Sequence, residues 1–262
     1  MHRPWLLRSA GVWAMSLWLV ACAPLSAKTT PTAVTRSVTT GVSPLATTSC
    51  IPNGPECPQE MDMKAMNENL IQAAERGDTA IVLQLLKQGA AINSRDAQGR
   101  TPLMAATHGN RVDTVQALIG AGADINIQDN LQDNPFLYAG AEGLLDVLKL
   151  TITAGASTKI TNRYGGTALI PAAERGHVEV VNELLTHTDV DINHINNLGW
   201  TALLEAIILG DGGPRRTEVV RLLIQAGADV NLADGNGVTP LAHARQRGYK
   251  AMIELLQKAG AR

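Results

Sequence analysis

The sequence predicts an all-α solenoid of about six stacked helix-turn-helix units joined by hairpin-like loops. A polar cap residue recurs at near-constant spacing, an apolar residue and an alanine follow it at fixed offsets, and aromatic residues are scarce. Thr101, Asn134 and Thr167 stand 33 residues apart, and Thr201 and Thr239 extend the series after 34 and 38 residues. Counting back 33 from Thr101 reaches Glu68, so the units start near 68, 101, 134, 167, 201 and 239. Two places after each start comes Leu70, Leu103, Phe136, Leu169, Leu203 or Leu241, and five places after comes Ala73, Ala106, Ala139, Ala172, Ala206 or Ala244. Nine places after comes Gly77, Asn110, Gly143, Gly176, Gly210 or Gly248. The length of 262 residues would suit two ordinary domains, but a stacked array escapes that limit because each unit buries its apolar face on its neighbours. One Phe, three Tyr and four Trp leave the core to Leu, Ile, Val and Ala, which suits thin helical layers.

Each element of one unit has a local cause. Thr101 is a hydroxyl N-cap, and Pro102 occupies the first helical position, where its missing N–H costs nothing. Leu103, Ala106 and Thr107 fall on one face, and the alanine keeps that face thin. Asn110 takes the left-handed conformation that ends the helix, a role given to Gly in the other five units. Val112, Val115, Leu118 and Ile119 then recur at helical spacing, and Gly122 ends the second helix before a loop through Ala123, Asp124, Ile125, Asn126 and Asp129.

The segments TPLMAA, AGADIN and DAQG resemble the consensus of the ankyrin-repeat family, two antiparallel helices and a hairpin-like loop, and the similarity covers residues 65 to 262. Three departures stand out. The family's usual His three residues after Thr is replaced by Met104, Leu137, Ile170, Leu204 or Ala242. Pro171 removes a helical N–H donor and predicts local distortion. Residues Asp211 to Arg216 are inserted between the helices of the fifth unit. The first and last units open or close with polar residues, Glu68 and Asn69 at one end and Gln246, Arg247, Lys250, Glu254, Gln257 and Lys258 at the other, as caps of an array should.

Residues 1–21 read as a signal peptide of the lipoprotein type, with His2, Arg3 and Arg8 before an apolar run from Ala10 to Val20. Leu19, Val20, Ala21 and Cys22 resemble the lipobox of bacterial lipoproteins, which implies a lipid on Cys22. By the same resemblance, Ala23 implies transport to the outer membrane; ordinary cleavage after Ala27 is the alternative and would release a soluble periplasmic protein. Cys50 and Cys57 make an even pair for an oxidising compartment, expected as a disulfide, with free thiols or a metal site as the alternatives. Residues 22–62 are rich in Thr, Ser and Pro and are expected to form a disordered tether, and residues 63–262 form the repeat domain. A flexible tether of about 35–40 residues spans roughly 30–40 Å.

The formal net charge of −2 excludes broad attraction to nucleic acid. No cofactor, metal or small-molecule substrate is expected. His177 sits where the ankyrin consensus has a structural His, while His108 and His243 lie on different units without a matched nucleophile. His187 and His194 flank Asp189 and Asp191, a weak metal hint that the loop's own hydrogen-bonding pattern also explains. The lone glycines lack the following Lys of a phosphate cradle.

The family resemblance implies another protein as partner, docked on the loop tips and the exposed side of each first helix. Tyr164, Leu198, Trp200, Ile208 and Leu209 cluster there beside Arg215 and Arg216 and form the candidate patch; the alternative is that Trp200 covers a neighbouring loop while Ile208 and Leu209 turn inward. The function expected is a non-enzymatic binding module in the periplasm. Resemblance to exported bacterial ankyrin proteins linked with peroxide defence implies an alternative, an auxiliary factor for a periplasmic enzyme such as catalase; a secreted effector is a third.

Overall fold

A computed structural model of the chain describes residues 58–262, with side chains from Asp62 onward. The segment read as a signal peptide, Cys22, Cys50 and Cys57 lie outside the described residues. The described chain is all helical. Its first helices are α1 (Pro58–Arg76), α3 (Pro102–His108), α5 (Pro135–Glu142), α7 (Leu169–Arg175), α9 (Ala202–Ile208) and α11 (Pro240–Arg247). Each is followed by a second helix: α2 (Thr79–Lys87), α4 (Val112–Gly120), α6 (Leu145–Thr153), α8 (Val178–His187), α10 (Pro214–Gln225) and α12 (Lys250–Lys258). First helices pack on first helices and second on second in chain order, giving the expected two-layer stack of six units. Helix α1 starts ten residues before Glu68 and so takes in the end of the segment read as tether.

The recurring cap residues act as their chemistry requires. Thr101 Oγ1 accepts from the Met104 N–H at 3.1 Å, and Asn134 Oδ1 accepts from the Leu137 N–H at 2.8 Å. Thr201 and Thr239 do the same for Leu204 and Ala242. At the far end of the first helix, Asn110 is left-handed with φ 50°, alongside Gly143, Gly176 and Gly248. The fifth unit departs from expectation: Gly210 is not left-handed, and Gly212 at φ 71° takes over that role. The insertion lets the chain run on before it turns, and α10 starts late at Pro214 and extends to 12 residues.

The core is a set of columns running through the stack. The apolar residues two places after each start and the alanines five places after are all buried, as are Val82, Val115, Leu148, Val181 and Val220 on the second helices. Side chains of Leu size contribute about 1.5–3 kcal/mol each when fully buried, and truncating one to Ala costs about 2–5 kcal/mol. Small residues set the spacing between units. A Cβ on Gly140 would lie 2.9 Å from the Ala168 Cβ and 3.0 Å from its carbonyl oxygen, so α5 and the start of α7 approach too closely for any side chain there.

The two ends are capped unequally. At the last unit Ala242, Arg245 and Gln257 stand exposed where the other units carry Met104, Thr107 and Ile119 or their equivalents. At the first unit Glu68 and Asn69 are exposed as expected, but Ile81 is 45% exposed and Leu83 is exposed beside it. Thr114, Val147, Val180, Val219 and Met252 occupy the position of Ile81 in the later units, and all are buried against the preceding unit. The leading end is therefore less polar than the sequence alone suggested.

Pro171 distorts its helix in a specific way. With no N–H at Pro171 for the Thr167 carbonyl, the first turn tightens and the Ile170 N–H donates to that carbonyl at 3.2 Å. Ile170 is thereby lost to the Thr167 hydroxyl, which is buried with no partner. Helix α7 begins at Leu169, one residue later in phase than α3, α5, α9 and α11. Restoring the N–H with Pro171→Ala should re-form the cap and stabilise the fold by about 1–2 kcal/mol, since a lost hydroxyl cap costs about 1 kcal/mol and an interior Pro more. A urea midpoint that stays or falls contradicts this explanation.

Candidate protein-binding face

Five loop tips are built on one device. Asp96, Asp129, Asn162, Asn196 and Asp234 each turn Oδ1 back to accept the N–H groups two and four residues on, for example Leu198 at 2.9 Å and Trp200 at 3.1 Å from Asn196. Each bracket residue also donates its own N–H to the carbonyl four residues on. A short polar side chain that hydrogen-bonds its own backbone is what makes such a turn. Neighbouring tips are tied as well, since the Asn130 N–H donates to the Gln98 carbonyl and the Asn197 N–H to the Tyr164 carbonyl. A second row of amides, Asn93, Asn126, Asn193 and Asn231, each accepts a backbone N–H from the next unit. Lys159 interrupts that row, and Thr158 bonds Asp189 there instead.

The bracket fixes what the residue two places on displays. In three successive tips that residue is Leu131, Tyr164 and Leu198, with Leu131 53% and Leu198 43% exposed. Half-buried Tyr164 carries the Arg163 guanidinium 4.6 Å above its ring. These three form an in-register apolar row along the stack. Leu131 was legible through its shared offset from the bracket residue, but the sequence grouping by adjacent units left it out.

The other expected patch residues are placed differently. Ile208 is buried and Leu209 half-buried, so this pair supports the inner helix and adds no exposed face. Trp200 is half-buried at the foot of its tip. Arg215 and Arg216 reach back to the preceding unit: Arg215 Nε donates to the Gly176 carbonyl and its Nη2 to Glu179, while Arg216 Nε donates to the Glu174 carbonyl. The same clamp is made by Arg111 to the Glu75 carbonyl, His177 to the Ala141 carbonyl and Tyr249 to the Gly210 carbonyl. The inserted arginines are thus structural ties, and so is His177.

Among the described residues, no chemistry converges on the remaining histidines. His187 pairs with Glu183, His194 bonds the Gly165 carbonyl, His243 bonds Asp234, and His108 stacks on Tyr138 at 4.0 Å between centroids. Among the described residues no three His, Cys, Asp or Glu side chains gather as a metal site, and no helix is long and apolar enough to cross a membrane.

The electrostatics of the inner helices centre on Glu205. Only 5% exposed, its carboxylate accepts from Asn196 Nδ2 at 2.7 Å and so braces the tip that carries Leu198 and Trp200. Burial, reinforced by the Glu174 carboxylate nearby, pushes Glu205 up to about 7. Burial and then the Asp129 charge push Asp133 up to about 6, and burial raises Glu174. Because Glu205 holds its proton more tightly folded than unfolded, its contribution is full below pH 4.5 and is lost as the pH rises through about 7. That loss amounts to as much as about 3 kcal/mol. Glu205→Gln, which keeps the acceptor for Asn196, should raise the melting temperature at pH 8 and leave it nearly unchanged at pH 4.5. An equal change at both pH values removes the ionisation argument.

The comparisons agree with this architecture. The family description "Ankyrin repeats (3 copies)" matches residues 53–129, 70–161 and 136–234, and "Ankyrin repeats (many copies)" matches 214–257. The ankyrin repeat protein YahD of Escherichia coli (strain K12) is 42% identical over 201 residues, 77% of this chain and 100% of that protein. The crystal structure of an ankyrin repeat domain from Acinetobacter baumannii AYE is 54% identical with a TM-score of 0.72, covering 74% of this chain and 98% of that one. The ankyrin repeat domain of Bcl-3, a member of the IkappaB family, is 25% identical with a TM-score of 0.67, covering 74% of this chain and 86% of that one. Ankyrin repeats are protein–protein interaction modules, and such homologues are generally non-enzymatic. With its capped helix pairs, bracketed tips and matched relatives, the chain belongs to the ankyrin-repeat family.

Proposed function

We propose that the chain is a non-enzymatic module that captures another protein in the bacterial periplasm, held at the outer membrane by a lipid on Cys22. The observation that carries the binding half is the apolar row Leu131, Tyr164 and Leu198, presented on tips fixed by backbone brackets. Exposed apolar side chains on a pre-ordered surface are what interface anchors require, because little conformational freedom is lost on docking. The compartment rests on the basic start, the short apolar run and the Leu19–Cys22 lipobox. Thr, Ser and Pro between Cys22 and the repeats would give the module reach from the membrane.

Two measurements test the two halves separately. Palmitate should label the wild-type chain in cells and not Cys22→Ala; labelling of neither contradicts the anchor. Replacing Leu131, Tyr164 and Leu198 together by Ser should abolish capture of partners from envelope extract by the full chain, with the melting temperature lowered by no more than a few degrees. Capture that survives in that variant places the binding surface elsewhere.

A further inference from the structure

The net charge of −2 conceals a division along the chain. From Asp62 to Asp234 there are 21 acidic and 13 basic side chains, whereas from Gly235 to Arg262 there are one acidic and five basic. The five are Arg245, Arg247, Lys250, Lys258 and Arg262, all exposed, and all in the sixth unit or directly after it. Ten of the 13 earlier cations are tied to a carboxylate or a carbonyl, as Arg100 is to Glu75 and Arg175 to Glu142. In the sixth unit none of the five basic side chains makes a hydrogen bond or an ion pair among the described residues. Glu254, their one acidic neighbour, is exposed and equally unbonded.

An end unit must be polar to stay soluble, but solubility asks for neither this sign nor this purity. A cap sharing the acidic balance of the other units would serve as well, and interspersed signs would avoid self-repulsion. Five cations without a counter-charge instead set up a positive field at one end of a chain that is elsewhere acidic. Their spacing limits what fits. Arg247 and Lys250 flank the start of α12, Lys258 closes it and Arg262 follows. From Lys250 to Lys258 alone the helix rises about 12 Å, so one phosphate or carboxylate cannot meet both ends, and a plane of anionic groups can. The sixth unit also lacks what protein interfaces are built on. Large apolar side chains stand exposed at Met63, Ile81, Leu83, Leu131, Ile195 and Leu198, none of them in that unit, and such groups are what anchor a protein partner. Basic side chains beside a bilayer need no apolar anchor, because each gains separately from the surface potential.

We propose that the sixth unit seats this end of the stack on a surface of anionic lipid headgroups. This rests on the reading of a membrane-tethered module and adds to it a second contact with the membrane, and with it an orientation. Packed helices lie about 8–10 Å apart and the surface field decays over about 8 Å at physiological salt, so the acidic units behind are screened from the lipid while the sixth is not. Leu131, Tyr164 and Leu198 belong to tips of earlier units and stay clear of the membrane for a protein partner. Five unit spacings place the first unit roughly 50 Å away, within the span of more than about 100 Å that a drawn-out tether of about 35–40 residues covers.

The test mixes the full chain, as cells produce it, with vesicles of phosphatidylcholine alone or of phosphatidylcholine with phosphatidylglycerol. A brief pulse of an uncharged amine-acylating reagent is then read lysine by lysine by mass spectrometry. On the anionic vesicles Lys250 and Lys258 should be acylated about fivefold more slowly, as when about four chains in five are seated, while Lys87, Lys149 and Lys159 keep their rates. Salt at about 0.5 M shortens the screening length to roughly 4 Å and should restore both rates. The Arg245→Gln, Arg247→Gln double variant, which loses only exposed and unbonded groups, should keep its melting temperature and lose most of the protection. Equal rates on the two kinds of vesicle, slowing shared by all five lysines, or protection kept in full by the double variant overturns the proposal. So does slowing on neutral vesicles that appears only when envelope proteins are added, which makes an acidic protein the occupant. Palmitate labelling at Cys22 without protection of Lys250 and Lys258 sinks this contact alone, and protection without labelling sinks the anchor alone.

Discussion

No helix pair in this chain can bury its own apolar face, and everything else follows from that constraint. The leucine and alanine columns are completed only when the next unit arrives, so stability accrues at the junctions between units. The alanines, and Gly140 where even a methyl is too large, set how closely consecutive first helices approach. That close approach brings the loop tips into register, and in-register tips are what turn five separate turns into one continuous surface.

Two kinds of polar bond make the register exact enough to be useful. Within a unit, the bracket residue holds its tip; between units, the Asn93 type of amide and the clamps of Arg111, His177, Arg216 and Tyr249 hold one unit to the last. Different side chains perform the clamp, which identifies the constraint as geometric: a donor must reach the open carbonyls at the end of the preceding first helix. Unpaired helix-end carbonyls would otherwise be left partly buried at considerable cost. Fixed tips then carry Leu131, Tyr164 and Leu198 as a row, and the Asn196 bracket also bonds the buried Glu205.

Much of the fold was legible because the repeat multiplies weak signals. One Thr-Pro or one Ala says little, but six units in phase gave the helix pairs, their caps and Asn110 as a left-handed terminator. What escaped depends on contacts between residues distant in sequence. Gly210 and Gly212 are equally able to turn the chain, and only the path of the insertion selects the second. Ile208 and Leu209 looked like surface by position, but Ile208 is buried and Leu209 half-buried. Arg215 and Arg216 looked free to meet a partner, and carbonyls about 40 residues away claim them. Ile81 holds a position that is apolar in four of the five later units, and the pattern cannot show that here it is exposed.

With every tip bracketed, the tips should be rigid although they are loops. Native-state hydrogen exchange of the Leu131, Tyr164 and Leu198 amides measures this directly, because each donates to a bracket side chain and opens only when the bracket breaks. Bracketed tips should exchange as slowly as the neighbouring inner helices. Exchange at the rate of an unstructured chain, with the helices still protected, would show a mobile fringe in place of a surface and contradict it.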